Sequence, residues 1–419
     1  MPKSPYIHPG YKPNYQKEVI ATYRLESPLP LAEAATHIAA ESSIGTWTKL
    51  ETLKDKTLAR LGPKIFYLDN KKKLVKIAYP LPLFELGNIT QLLSALAGNI
   101  FSMKVVTNLR LLDIQLPKKY LDSFSGPAFG IEGVRKYLKI HPRPIVGSII
   151  KPKVGLSAKE QAKLAYDIWK NGVDLVKDDE NLTDMEFNKF EDRVREVMKL
   201  KKQVEKETGE KKVYVFNVTG PADMMLQRAK LVKKYGGKVV MIDLVVAGLD
   251  NIQFLRQQNL GLILHGHRAG HSMFTKNPRH GLSMFLLAKL TRLVGIDQLH
   301  TGTVVGKMEG TAEEVTMINL EMEEDWFGVN KEMSDWSEIK PVLPIASGGL
   351  HPGLVEKLTK ILGTDLIINF GGGLHGHPDG SIAGAMACRQ AVDAVMKKIP
   401  ARKYAETHPE LKRALEYWK

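Results

Sequence analysis

Val173-Asp-Leu-Val-Lys-Asp-Asp-Glu-Asn181 is an apolar strand that runs straight into four charged residues, Lys177, Asp178, Asp179 and Glu180. Alternate side chains of a strand face opposite ways, so Lys177 and Asp179 share a face. Glu180 follows where the strand opens into a loop. Such charges are costly to bury without a partner or an ion. Taken alone, the run reads equally well as a salt bridge at a strand end or as the start of a reactive site. Its surroundings decide.

On either side of this stretch, strand and helix alternate strictly. Apolar runs mark strands at Ile145–Ile150, Leu175–Lys177, Val213–Asn217, Val239–Asp243, Leu262–His265, Gln298–Thr303, Val342–Ala346 and Leu366–Phe370. Most are continuous, as in a buried parallel sheet. Ser157 with Glu160, and Thr183 with Glu186, have the capping-box spacing that opens a helix. Eight such units over about 270 residues fit a (β/α)8 TIM barrel, with an open doubly wound sheet as the alternative. The segment before them is mixed: strands at Val19–Leu25, Lys64–Leu68 and Leu74–Tyr79, helices at Leu31–Ala40 and Ile89–Leu96. That order suggests an N-terminal α+β domain of ferredoxin-like kind, an antiparallel sheet with helices on one face. The expected domains are 1–122 (α+β), 123–402 (barrel) and 403–419 (a helical tail).

The chain has 419 residues, enough for two or three domains, and no apolar run long enough to span a membrane. Met1–Tyr6 lacks the apolar core of a signal peptide, and the single Cys388 excludes an intrachain disulfide, so the cytoplasm is the expected compartment. Cys388 sits among small residues (Ala383–Ala391) and reads as packing. The net charge of +14 suits nucleic acid or an anionic small substrate. Its basic clusters (Lys71–Lys73; Lys199, Lys201 and Lys202; Lys211 and Lys212) are not interleaved with aromatic residues, so they read as solvated surface and no nucleic acid is expected.

A barrel of this kind carries its active site at the C-terminal ends of the strands. The polar residues fall there. In strand order they are Lys151 and Lys153, Lys177–Glu180, Asn217, His265, His267, Arg268 and His271, His300, Ser347–Gly349, and Gly371–Gly373. His265-x-His267 has the spacing of a zinc pair and, with a lysine nearby, is similar to amidohydrolase barrels, but there the pair belongs to the first strand. Gly371-x-Gly373-x-x-Gly376 matches a dinucleotide fingerprint in form only, since no later strand supplies the ribose-binding acid. The glycines after strands seven and eight stand instead where such barrels hold phosphate. Thr303-Val-Val-Gly306-Lys307-Met-Glu309-Gly310 places a lysine between glycines, the pattern of a closing loop or of a surface turn.

Together these residues resemble the large subunit of ribulose-1,5-bisphosphate carboxylase/oxygenase (Rubisco), most closely its archaeal form III type, from about Val19 to Ala394. The shared motifs are Gly45-Thr-Trp, Lys151-Pro-Lys, Lys177-Asp-Asp-Glu, His265-x-His-Arg, Gly302-Thr-Val-Val-Gly-Lys, Ser347-Gly-Gly and the Gly371 triplet. The resemblance implies a carboxylase that enolises ribulose 1,5-bisphosphate and adds CO2 or O2 to give 3-phosphoglycerate, with a suggested place in archaeal nucleotide (AMP) salvage. It implies Mg2+ held by Lys177, carbamylated by CO2, with Asp179 and Glu180, three hard oxygen donors. Lys151 is then the acid–base group at C2 with Lys153 in support, and His267 carries protons near the C3 and C4 oxygens. Lys307 closes over the new carboxylate.

One phosphate cradle is implied at Gly349, Gly371 and Gly372 with Thr46, Trp47 and Lys307, and Gly348 belongs to the same substrate-binding set. The other is Arg268 and His300, and Ser347 bonds the substrate backbone. Glu41, Thr46, Trp47 and Asn99 are expected to complete the barrel mouth of a neighbouring subunit, so the unit is a homodimer with shared sites, in some assemblies a ring of dimers. Ile149, Asn369 and Leu374-His-Gly-His-Pro-Asp depart from the common pattern and bear on substrate fine-tuning. The rivals are a Rubisco-like enolase or isomerase of sulfur salvage and a non-catalytic binding protein. Neither has reason to keep Lys151, His300 and Lys307 together.

Overall fold

The structure is a computed structural model that describes residues 4–48, 50–305, 311–324, 336 and 338–418. The chain forms two compact units. The first comprises Met1–Ser125, Gly270–Val294 and Glu324–Ile339; the second comprises Gly126–Ala269, Gly295–Glu323 and Lys340–Lys419.

In chain order the strands are β1 (Glu18–Glu26), β2 (Lys64–Asp69), β3 (Leu74–Pro80), β4 (Asn108–Gln115), β5 (Ile145–Ile149), β6 (Leu175–Lys177), β7 (Val213–Asn217) and β8 (Val239–Asp243). They continue with β9 (Ile263–His267), β10 (Gly281–Leu282), β11 (Gln298–His300), β12 (Leu343–Ser347) and β13 (Ile367–Phe370).

In the first unit the sheet order is β10-β4-β1-β3-β2, antiparallel except for the short β10–β4 pair. Without β10 this is the ferredoxin-like order expected from the sequence. Helix Leu31–Glu41 turns Leu31, Ala34, Ala35, Ile38 and Ala39 into the core, and the buried Tyr23 hydroxyl donates to Leu96 O at 2.8 Å. The Lys71–Lys73 cluster is a solvated hairpin tip, tied by Asp69 Oδ1 accepting the Lys71 and Lys72 amides, each at 2.9 Å. Helix Asp55–Leu61 and strand β4 are among the elements that carry no sequence expectation, as are helices Lys118–Leu121 and Met284–Val294 and strand β10. In β4 the alternation fails because the strand itself bulges at Leu112, the extra residue between Leu111 and Asp113, which face Tyr23 and Thr22 of β1.

The segment Gly270–Val294 is stitched to this sheet. Arg110 is buried, and its guanidinium donates to Thr275 O at 3.0 Å and to Asn277 O. Ser283 N donates to Leu111 O at 3.0 Å, and Lys289 pairs with Asp113 at 3.0 Å.

In the second unit eight parallel strands close a barrel in the order β5-β6-β7-β8-β9-β11-β12-β13, so the doubly wound alternative falls. A layer of apolar residues fills its interior: Ile145, Leu175, Val215, Met241, Ile263, Ile345 and Ile367 among them, packed with Val134 and Leu138 of helix Gly130–Leu138. A strand repeats every two residues, so the next inward position toward each C-terminal end is two further on. Those positions are Gly147, Lys177, Asn217, Asp243, His265, Ser347 and Asn369. The apolar filling thus gives way to chemistry within one layer.

Helix Ala158–Lys170 has the expected capping box: Ser157 Oγ accepts the Glu160 amide and Glu160 accepts the Ser157 amide. The second such expectation is wrong. Thr183 and Glu186 do not open the next helix, which runs Phe190–Thr208, its first amide accepted by Asp184 Oδ1 at 2.8 Å. Residues 181–189 wrap instead around the buried Arg193, whose guanidinium donates to Thr183 O at 2.6 Å and Asn188 O at 3.1 Å. Cys388 is fully buried in helix Gly380–Met396. No described helix is long and apolar enough to cross a membrane.

Candidate active site

Lys177 ends β6 with its side chain wholly buried and Nζ donating to Asp178 O at 2.8 Å. Burial pushes its pKa below the ordinary lysine value, against the pull of Glu180, Asp179 and Asp243. Asp178 leaves on the other face, as the alternation requires. Its Oδ1 accepts from Gln161 (2.8 Å) and Tyr214 (2.7 Å), and its Oδ2 from Arg193 (3.2 Å) and the Asn217 amide (2.9 Å). With every lone pair engaged, Asp178 is structural.

Asp179 and Glu180 turn toward Lys151 and Lys153. Lys151 Nζ is 2.7 Å from Asp179 Oδ2, and Lys153 Nζ is 3.1 Å from Glu180 Oε1. Asp179 is 1% exposed, so its charge has left water and needs a cation. Burial acts to raise the Glu180 pKa, but backbone N–H, His267, Lys177 and Lys153 outweigh it and hold it at about 2.

Across the mouth, His267 Nδ1 is 2.8 Å from Asp243 Oδ1 and its Nε2 is 3.8 Å from Glu180 Oε2. A carboxylate accepts, so Nδ1 carries a proton toward Asp243 and the Nε2 edge faces the site. His265, fully buried, joins Gln298 Oε1 and His300 Nε2, both at 2.9 Å. Burial drives both His265 and His300 well below the ordinary histidine range, so both rings are neutral. Arg268 donates to Thr301 O at 3.1 Å, and burial brings its pKa to about 10, opposed by Glu314.

The loops after β12 and β13 are pressed together. A side chain at Gly373 would meet Leu350 O at 2.0 Å, so only glycine fits. Gly348 and Gly349 have φ of 117° and 71°, the left-handed region. A Cβ at Gly371 would stand 3.6 Å from Lys151 Cε, which puts these glycines beside the lysine; Gly372 has open space around it. Ser347 closes β12 next to them.

The barrel unit therefore brings together Lys151, Lys153, Lys177, Asp179, Glu180 and His267, with Arg268 and His300 alongside. Glu41, Thr46, Trp47 and Asn99 belong to the first unit: Thr46 Oγ1 donates to Glu41 at 3.2 Å, Trp47 is 78% exposed, and Asn99 is exposed at the start of a short 3-10 turn. Lys307 lies outside the described residues. Asp243 and Gln298 are site residues without a sequence-stated role; the signal for Asp243 was its place as the charged last residue of a strand.

For a metal the donor set is telling. Among the described residues no three His, Cys, Asp or Glu side chains are grouped to hold an ion. Asp179 and Glu180 supply two carboxylates, each already facing an ammonium group. Beside them Lys177 is the buried amine that carbamylation would turn into a third oxygen donor, and with that change the set fits a hard divalent ion.

Such a site on a closed parallel barrel is that of a barrel enzyme working by acid–base chemistry on an anionic substrate. The comparisons narrow it. The model of the ribulose bisphosphate carboxylase large chain catalytic domain matches residues 130–418, and that of its N-terminal domain matches residues 5–120. A ribulose bisphosphate carboxylase of Methanocaldococcus jannaschii is 48% identical over 99% of this chain and 100% of its own; that of Pyrococcus abyssi is 47% identical over 99% and 96%. Among solved structures, octameric Rubisco from Pyrococcus horikoshii OT3, in complex with sulfate ion, has a TM-score of 0.92 at 47% identity, covering 98% of this chain and 96% of that one. Dimeric archaeal Rubisco from Hyperthermus butylicus has a TM-score of 0.92 at 45% identity, over 99% and 98%. The chain belongs to the ribulose bisphosphate carboxylase large-chain family, whose members are carbon–carbon lyases.

Proposed function

We propose that this chain enolises ribulose 1,5-bisphosphate and adds CO2, or O2 in its place, the carboxylation giving 3-phosphoglycerate. The observation that carries the reading is the cluster of Lys177, Asp179 and Glu180 faced by Lys151 at 2.7 Å. A second CO2 acts as activator: the Lys177 amine adds to its carbon, losing one proton and becoming a carbamate. Lys177 so modified, Asp179 and Glu180 would hold Mg2+, which would supply Lewis-acid polarisation of the substrate ketone.

Every other role falls to the chain. Lys151 exchanges a proton at C2, and Lys153 holds Glu180 in place. His267 takes a proton at Nε2 near the C3 and C4 oxygens while Asp243 stabilises the ring as it charges. Arg268 and His300 hold one phosphate, with Arg268 offering a fork. Gly348, Gly349, Gly371 and Gly372 hold the other, and Ser347 bonds the substrate between them. Lys307 covers the new carboxylate and excludes water. Glu41, Thr46, Trp47 and Asn99 serve a neighbouring subunit, making the working unit a homodimer, in line with the dimeric and octameric assemblies of the structural neighbours. Residues 1–122, 123–402 and 403–419 are retained as its domains, and a cytoplasmic role in nucleotide salvage is the setting.

The test is incubation with ribulose bisphosphate, Mg2+ and labelled bicarbonate, reading acid-stable label in 3-phosphoglycerate. No product over a wide temperature range refutes the carboxylase. Proton exchange at C3 without label would assign the chain to the enolase relatives instead.

A further inference from the structure

Gln298, His265 and His300 are held by two neighbouring strands of the barrel. Gln298 faces His265 in register across β11 and β9, and His300 follows two residues on, on the same face. Gln298 is 2.9 Å from His265 Nδ1, and His265 Nε2 is 2.9 Å from His300 Nε2. All three are at most 3% exposed. At that spacing the two facing nitrogens share one proton. A neutral imidazole has one donor and one acceptor, so fixing one proton fixes them all.

Two arrangements are self-consistent. In the first, Gln298 accepts from His265 Nδ1–H, His265 Nε2 accepts from His300 Nε2–H, and His300 Nδ1 is a bare lone pair. In the second, the Gln298 amide is turned over and donates to His265 Nδ1. His265 Nε2–H then donates to His300 Nε2, and His300 presents Nδ1–H. A glutamine amide can end the row either way, because its two ends have the same shape and opposite character. Among the described residues nothing else fixes it: Gln298 Nε2 is buried and has no hydrogen-bond partner there. Turning the amide therefore breaks only the bond that it re-forms.

We infer that Gln298, acting through His265, sets which nitrogen of His300 carries the proton, and that phosphate bound at His300 selects the arrangement with Nδ1–H. Gln298 is then a positioning residue for anion recognition. The inference rests on the proposed phosphate role of His300. An anionic oxygen needs a donor, and the second arrangement alone provides one without charging the buried ring.

Substitutions at Gln298 push the row in opposite directions. Gln298→Glu can only accept, which holds the first arrangement. Gln298→Met can do neither. It leaves His265 Nδ1 facing an apolar group, where an orphaned N–H is worse tolerated than a bare acceptor, so it holds the second arrangement.

The experiment reads the 15N spectrum of histidine-labelled full-length protein with and without inorganic phosphate, the His300 signals being assigned by their loss in His300→Gln. Wild type should move to Nδ1–H when phosphate saturates. The Glu variant should stay at Nε2–H throughout, and the Met variant should show Nδ1–H even without phosphate. In turnover, the Glu variant should raise KM for ribulose 1,5-bisphosphate about tenfold, the loss of one charge-assisted hydrogen bond, with little change in kcat. The same His300 tautomer in all three proteins, or a wild-type tautomer indifferent to phosphate, overturns the inference. If the tautomers follow the substitutions while no carboxylation is seen, the proposed reaction fails and the role of Gln298 stands.

Discussion

Asp243 offers the most exacting check, because its neighbours dictate different outcomes for two substitutions. Its Oδ1 holds His267 Nδ1 at 2.8 Å, while its Oδ2 lies 3.5 Å from Thr219 Oγ1. The Thr219 hydroxyl gives its proton to Asn217 Oδ1 at 2.6 Å, so it turns a lone pair toward Asp243. In Asp243→Asn the amide nitrogen therefore goes to Thr219 and the oxygen stays on His267. The tautomer survives and only the charge that steadies the protonated ring is lost. The difference between a charged and a neutral acceptor is about 1 to 1.5 kcal/mol, so kcat should fall roughly five- to tenfold. Asp243→Ala frees the ring to change tautomer and orientation. It should forfeit most of a general acid–base contribution, about 100-fold or more. Steady-state carboxylation and exchange of the C3 proton with solvent, at saturating substrate, read both, with thermal melting to confirm folding. If Asn is as damaging as Ala, the amide orientation argued from Thr219 is wrong. If Ala is nearly silent, His267 does not depend on Asp243 at all.

Other outcomes follow from the same geometry. Lys177→Ala should abolish turnover and weaken Mg2+ retention measured by equilibrium dialysis, because the third oxygen donor is gone; near-normal activity would show that no carbamate is needed. Co-expressed Glu41→Gln and Lys177→Ala subunits should recover some activity that neither shows alone, and confirmed hybrid dimers without recovery would mean that each chain builds its own site. Lys307→Ala should lose carboxylation about a thousandfold or more, some 4 kcal/mol, yet keep measurable C3 proton exchange; an equal fall in both would make Lys307 a binding residue. Asp178→Ala should cost about 3–5 kcal/mol in denaturant unfolding, since it strands the buried Arg193 guanidinium, and a loss under 1 kcal/mol would contradict the network described.

The barrel was legible because its strands are buried: most read as continuous apolar runs, with polar residues gathering at their C-terminal ends. Lys177, Asp179 and His267 were singled out by their place at or just past strand ends, and their roles came from the resemblance. That signal assigns position and not partnership, so it gave no role to Asp243, whose meaning is the 2.8 Å contact with His267 at the end of the next strand. Gln298 was hidden differently, since an uncharged residue at the start of a strand looks like any half-polar neighbour. The helix expected at Thr183 failed because capping chemistry is local, whereas Arg193 binds the Thr183 and Asn188 carbonyls from a helix turn further on and holds that segment open. Strand β4 was missed because its own bulge at Leu112 broke the alternation.

The first unit draws on chain far downstream of its own sheet, and synthesis runs in one direction. When residue 125 leaves the ribosome, β4 is a free edge: its partner β10 and the carbonyls that receive Arg110 lie in Gly270–Val294. About 170 more residues must follow, which at roughly 5–20 residues per second is a wait of about 10–35 s. For that time Arg110 has lost the acceptors it will be buried against, and an unpaired edge invites the wrong strand. The barrel interrupts its own series of strands to supply the missing pieces, so neither unit is finished until the other is well under way. Cutting the gene at the apparent domain boundary would release an unfinished half.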